Sequence, residues 1–210
     1  MKQAHFRAVA VAIGLVAASG AAGATTYNFA DFSDLSAWQQ NGATASITDP
    51  VTDSLGRKVL RLTNNLSQSG SAFINAPISL ASDVSFSAAF TFRISNPIGI
   101  GDEDGQGADG IVFVVQTVSS TSGGAGGGIG YLGLPNSVGV EFDTYNNGGS
   151  ANDPNGNHVG IDINGGFNGA TATVGSRLNG GTDWYAWVDY NGATDVVELR
   201  LATTNARPQP

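Results

Sequence analysis

Alternation of apolar and polar positions is the clearest pattern in the chain. Over positions 84–94 every even residue is apolar (Val84, Phe86, Ala88, Phe90, Phe92, Ile94), which predicts a long strand with one buried face. Positions 111–115 form an unbroken apolar run of strand length, predicting a strand buried on both faces. Positions 184–190, then Asn191-Gly192, then positions 196–201 read as a hairpin; Asn-Gly favours positive φ, and the link can exceed two residues. Positions 27–38 and 58–63 read as further strands with their approaches. No segment carries a helical stripe of useful length, and there is no internal repeat. The glycine-rich stretch 123–130 lies between close strand signals and reads as a loop inside one domain. Short strands, turn signals and no helices predict an all-β fold, an antiparallel β-sandwich of the jelly-roll kind.

Composition sharpens this picture. Thirty of 210 residues are glycine, which disfavours long helices and suits tight turns. The 41% apolar content is too high for a disordered chain. Lys2, His5 and Arg7 precede an apolar run at 8–18, and Ala22-Gly23-Ala24 follows. This is the layout of a signal peptide over 1–24, cleaved after Ala24, with a mature domain over 25–210. It implies a secreted, periplasmic or extracellular location. The apolar run is too short to span a bilayer, so no membrane span is expected. The formal charge is −8, and the leader holds two of the nine basic residues. No basic stretch remains for a nucleic-acid groove. With no cysteine, stability rests on the core or on metal.

The richest segment runs from Val138 to Ile163. On its first strand Glu141, Asp143 and Tyr145 share one face, and Val138, Val140 and Phe142 the other. On its second, His158 and Asp162 share the polar face, while Val159, Ile161 and Ile163 face the core side. The loop between them carries Asn147 and Asp153. Carboxylates this close raise one another's pKa unless a cation neutralises them. Oxygen donors from Asp, Asn and a backbone carbonyl suit Ca2+, while carboxylates with one imidazole suit a transition ion such as Mn2+. Three carboxylates and one imidazole make up such a mixed set here, and Asp143 and Asp153 could bridge both ions. A solvated polar loop with incidental acids is the alternative. A second acidic patch, Asp102-Glu103-Asp104, lacks the twelfth-position glutamate and flanking helices of an EF-hand.

Glu141-Phe-Asp143-Thr-Tyr145-x-Asn147, then Asp153-Pro and His158-Val-Gly-Ile-Asp162, resembles the metal-binding signature of the L-type (legume) lectins, whose fold is the concanavalin A-like sandwich. Upstream, Gly107-Ala108-Asp109-Gly110-Ile-Val-Phe113 is similar to that family's Ala-Asp-Gly strand, and Gly126-Gly127-Gly128-Ile129-Gly130-Tyr131 to its glycine loop. The resemblance implies that Glu141, Asp143, Asp153 and His158 hold a transition metal. It implies that Asp143, the Tyr145 carbonyl, Asn147 and Asp153 hold calcium. It implies a cis peptide at Ala108–Asp109. Asp109, the Asn147 amide and a backbone N–H near Gly127 would grip sugar hydroxyls, with the Tyr145 ring against the sugar's apolar face. These roles suit a sugar, which offers paired hydroxyls and a C–H-rich face. The implied function is a secreted lectin binding glycans, not an enzyme, with a homo-oligomer left open.

Two departures and two rivals belong with the resemblance. The Asn147-to-Asp153 interval is one residue longer than is common in the plant members, which raises Asn146 as a rival to Asn147. The chain stops at Pro210, where the family continues with further strands and a last sugar-contacting loop, so truncation is expected. The wording of the glycine loop and of Asp153-Pro-Asn-Gly-Asn-His158 resembles bacterial members. A glycoside hydrolase on this sandwich would need Glu-x-Asp-x-Glu, and here the third position is Tyr145. A non-catalytic structural or adhesive module is the other rival.

Overall fold

The computed structural model describes residues 8–16, 26–46, 51–80 and 82–210. Its strands are β1 (Ala8–Val16), β2 (Thr26–Asn28), β3 (Trp38–Gly42), β4 (Val51–Thr52), β5 (Lys58–Arg61), β6 (Gly70–Ile74), β7 (Phe86–Ile94) and β8 (Gly101–Asp102). They continue with β9 (Gly105–Gln106), β10 (Gly110–Gln116), β11 (Ser137–Asp143), β12 (His158–Ile163), β13 (Ala170–Thr173), β14 (Trp184–Asn191) and β15 (Val196–Ala202). Among the described residues, helix is confined to one turn at Ala43–Ser46 and two 3-10 turns, Gly126–Gly128 and Gly148–Ser150. A seven-stranded sheet runs β15-β14-β7-β1-β5-β4, with β2 against β1; a four-stranded sheet runs β10-β11-β12-β13. Pairs β3–β6 and β8–β9 stand apart from these.

The alternation along β7 does what its period dictates. Phe86, Ala88, Phe90, Phe92 and Ile94 are buried, and they meet Trp184, Ala186 and Val188 of β14 with Ile111, Val140 and Phe142 of the four-stranded sheet. Phe142 joins the two sheets, its ring 4.6 Å from Phe92 and 6.0 Å from Phe90 between centroids. The nine of these side chains larger than alanine supply the main driving force when removed from water, roughly 2 kcal/mol each. A second, smaller cluster forms around Phe32, Trp38 and Leu60. The β14–β15 hairpin closes with Asn191 opposite Val196, so its loop is longer than two residues.

Two expectations meet a different structure. The 111–115 run is not buried on both faces: Ile111 is buried, but 112–115 are half-buried. The reason is that β10 pairs with β11 alone among the described residues, so its outer edge is open beside a cavity of about 580 Å3. Ile163 lies on the core-side face of β12 but at its rim, 57% exposed. The backbone of 8–16 is paired antiparallel between β7 and β5; the expected cleavage position after Ala24 lies outside the described residues. No helix among the described residues is long and apolar enough to cross a membrane.

One polar cluster lay outside the sequence reading. Arg93, on the outer face of β7, is buried against Asp53 at 2.9 Å, and Arg57 bridges Asp53 and Asp183 at 2.8 and 2.5 Å. The paired guanidinium groups offset the burial of Asp53, and the Arg57 and Leu55 amide N–H groups also donate to it.

Candidate metal and ligand site

Register builds the site. Antiparallel pairing of β11 with β12 places Asp143 opposite His158, Glu141 opposite Gly160 and Gly139 opposite Asp162. Directly opposed residues project to the same face, so Glu141, Asp143, His158 and Asp162 converge on the polar side. All four are buried. Gly160 is required by its neighbour: a Cβ there would stand 2.2 Å from Glu141 Oε1. On the other side, β10 places Gly110 opposite Asp143 and brings Asp109 to the same corner.

Ligand atoms of Glu141, Asp143 and His158 lie within 4.8 Å of one another. His158 Nε2 is 3.4 Å from Glu141 Oε1 and 3.6 Å from Asp153 Oδ1. The other imidazole nitrogen, Nδ1, lies 2.9 Å from the Asn155 carbonyl oxygen. With the proton on Nδ1 donated to that carbonyl, Nε2 turns a lone pair toward the acids, the arrangement usual in metal-ligating histidines. The loop is folded on its own acids: the Tyr145 N–H donates to Asp143 Oδ1 at 2.7 Å and the Asn147 N–H to Asp153 Oδ2 at 2.5 Å.

What this packing leaves without a partner is the decisive feature. Asp109 Oδ2, Glu141 Oε2, Asn147 Oδ1, Asp153 Oδ1, His158 Nε2 and Asp162 Oδ2 are all buried with no hydrogen-bond partner. Unpaired buried acceptors each cost on the order of 1–3 kcal/mol, more when charged. The electrostatics agree. Burial pushes the Asp109 carboxyl up to about 7. Burial drives Asp143 well above the carboxylate range, the Tyr145 N–H opposing and the charges of Asp153, Glu141 and Asp109 adding to it. Burial raises Asp153 too, against the Asn147 N–H. Burial opposes charge on His158, but the nearby carboxylates of Glu141 and Asp153 hold its pKa above the usual value. Asp162 is raised by burial and by Glu141. A set of carboxylates, an amide oxygen and one imidazole nitrogen, converging with lone pairs unused, suits a divalent cation.

All the sequence-derived site residues meet here. Gly127 abuts Asn147: a Cβ at Gly127 would stand 2.6 Å from Asn147 Nδ2. Asn146, its rival, is instead turned away, its side-chain amide donating to Glu103. Tyr145 is half-buried beside Asp143. The Ala108–Asp109 peptide is cis. The glycine stretch is pinned rather than loose: Tyr131 is fully buried, its hydroxyl donating to the Asp162 carbonyl at 3.1 Å. A Cβ on Gly139 would collide with the Tyr131 ring.

Other residues of the site gave no sequence signal. Thr144 holds the Asp109 strand end, its N–H donating to the Asp109 carbonyl at 2.9 Å and its hydroxyl to the Gly107 carbonyl at 2.8 Å. Asn179 donates to the same Gly107 carbonyl at 3.0 Å, and Asn157 ties the 174–178 segment beneath the loop. Asp162 accepts the Asn168 and Gly169 N–H groups. Only the position of Asp162, on the same strand face as His158, hinted at its place.

Comparison with known proteins agrees with this geometry. The legume lectin domain matches residues 24–210. The chain is 36% identical over 135 residues to the L-type lectin-domain containing receptor kinase VIII.1 of Arabidopsis thaliana, covering 60% of this chain and 18% of that protein. It is 32% identical to the erythroagglutinating phytohemagglutinin of Phaseolus vulgaris, covering 78% and 60%. The crystal structure of basic winged bean lectin with Tn-antigen superposes with a TM-score of 0.62 at 25% identity, covering 82% of this chain and 71% of that one. The chain thus spans less than a quarter of the receptor-kinase relative and about six-tenths of the phytohemagglutinin. These relatives are plant proteins, and they lend no support to a bacterial source or to a truncation.

Proposed function

Since the chain belongs to the legume lectin domain family, a non-catalytic carbohydrate-binding family, we propose that it binds glycans through a site ordered by calcium and a transition metal. The observation that carries this reading is the set of buried, unpartnered acceptors on Asp109, Glu141, Asn147, Asp153 and His158. Glu141, Asp143, Asp153 and His158 would hold a transition ion such as Mn2+. Asp143, the Tyr145 carbonyl, Asn147 and Asp153 would hold Ca2+. Bound there, the ions neutralise the acids and supply folding energy.

The chain's own groups do the recognition. Asp109 accepts two sugar hydroxyls, and the Asn147 Nδ2 donates while its Oδ1 faces the calcium position. Gly127, lacking a side chain, lets the backbone approach the ligand beside Asn147. Tyr145 offers ring area with little rotamer entropy to lose. With these groups held before binding, the ordering cost falls on folding instead of on association. Winged bean acidic lectin, similar to this chain at 26% identity with a TM-score of 0.59 and covering 80% of this chain and 70% of that one, is solved with methyl-α-D-galactose. Galactosides are therefore the first ligands to try. The 1–24 leader reading adds export to the proposal; a secreted product beginning at Thr25 by N-terminal sequencing would support it, and one beginning at Met1 would remove it.

The test is a glycan array probed with the protein in Ca2+ and Mn2+ and again in EDTA. Glycan signal that disappears on chelation is the expected result. Signal unaffected by EDTA would remove the metals from the reading, and no signal on any glycan would remove the lectin function.

A further inference from the structure

The acidic hairpin β8–β9 is the one motif of the sequence that the site leaves unused. Its carboxylates are not waiting for an ion. Asp102 Oδ2 accepts the Asn146 N–H at 2.6 Å, and its Oδ1 accepts the Asp104 N–H at 3.0 Å. Glu103 Oε1 accepts both the Asn146 side-chain amide at 2.9 Å and the Gly156 N–H at 3.0 Å. Both oxygens of Asp102 and one of Glu103 are thus taken by N–H donors, whereas Glu141 and Asp153 each keep a buried oxygen without a partner.

The donors identify what the hairpin does. Asn146 and Gly156 are the two shoulders of the loop that carries Asn147 and Asp153, so one short hairpin grips that loop at both ends. Contact at the second shoulder is close: a Cβ on Gly156 would stand 1.9 Å from Asp102 Oδ2. The hairpin's other side is fixed to the strand end bearing Asp109. The Gly107 N–H donates to the Ile100 carbonyl at 3.0 Å, and Arg177 donates to the Gln106 carbonyl at 3.0 Å. A continuous path therefore runs from Asp109 through the hairpin to the loop of Asn147 and Asp153.

We propose that Asp102 and Glu103 are positioning residues that set the metal-bearing loop in register with Asp109, acting as acceptors of loop N–H groups and touching neither ion nor ligand. The proposal rests on the lectin reading for its ligand but not for its test. Holding Asn146 also accounts for why Asn147, and not its neighbour, is turned to the site in a loop one residue longer than usual.

Full-length protein and the variants Asp102→Ala, Glu103→Ala and Glu103→Gln are compared by Mn2+ calorimetry and by hydrogen exchange of the Asn147 amide, which neither acid touches. Glutamine keeps the accepting oxygen and loses the charge. Asp102→Ala and Glu103→Ala should each weaken Mn2+ about fivefold and speed exchange at Asn147, with Glu103→Gln close to the parent. Methyl α-galactoside affinity should follow the same order. Parent-like exchange in both alanine variants overturns the proposal, and so does Glu103→Gln falling as far as Glu103→Ala, which would make charge the agent. A parent protein that orders its loop but binds no glycan would refute the lectin function and leave the exchange comparison to decide the hairpin.

Discussion

The acids of this site should make the stabilising effect of metal depend on pH in a defined direction. Without cations, Asp143 and Asp153 have folded pKa values above their unfolded ones, and Asp109 stands at about 7 against 3.8. A carboxyl raised in this way stabilises the fold fully below its unfolded pKa, where both states are protonated. That stability is lost as pH climbs through the folded pKa, because the unfolded chain ionises freely and the buried group cannot. Metal-free protein should therefore weaken from about pH 4 to about pH 7. The ions act oppositely: they bind the deprotonated set, so their hold strengthens over the same interval.

At a free metal concentration one hundred times Kd, mass action adds about 2.7 kcal/mol. For a chain of this length that is a Tm gain of roughly 5–10 °C near neutral pH, falling toward zero near pH 4. Differential scanning calorimetry in Ca2+ plus Mn2+ against EDTA, stepped across that interval, measures it. Asp143→Asn should abolish the gain. It should also leave the metal-free protein at least as stable as the parent at pH 7, because the cost of burying an ionisable carboxyl is gone while the amide oxygen still accepts the Tyr145 N–H. A gain of equal size at both ends of the pH range, or an Asp143→Asn protein that still gains, would refute the placement of ions among these acids.

Three other substitutions separate the parts of the site. Asp109→Asn removes one of the two acceptors for sugar hydroxyls and should weaken glycan binding at least about thirtyfold by array titration, with Mn2+ affinity by calorimetry unchanged. Gly160→Ala sets a Cβ where Glu141 Oε1 now lies, so Mn2+ affinity should drop about tenfold while the Tm in EDTA moves little. Phe142→Ala empties the ring position between Phe90 and Phe92 and should cost about 3–5 kcal/mol in urea denaturation, with no selective effect on metal.

Much of this was legible because it obeys the period of the strand. The buried row of β7 and the shared face of Glu141 and Asp143 are both consequences of a two-residue repeat, and the antiparallel return of the chain after a loop brings His158 opposite Asp143. What was not legible depends on contacts between segments with no common period. Arg93 meets Asp53 across forty residues, and Arg57 meets Asp183 across 126. The open edge of β10 was also unreadable, since an apolar run looks the same whether one strand or two flank it.

Glycine was the most easily misread residue. In the sequence it signals turns and mobility, yet at three places in the site its value is the volume it leaves free. Gly160 admits the Glu141 carboxylate, Gly139 admits the Tyr131 ring, and Gly156 admits Asp102. Each meets a side chain distant in sequence, so its role appears only once the sheet is registered. The acids and the glycines are thus parts of one construction. Carboxylates can be packed this tightly only where the facing strand yields space, and an ion is then what makes the packing favourable. The same logic separates the two acidic segments of the chain. Glu141 and Asp153 each keep one buried oxygen without a partner, whereas Asp102 and Glu103 accept amide hydrogens, so on the proposed reading acids alike in composition are placed as cation ligands in one location and as a brace in the other.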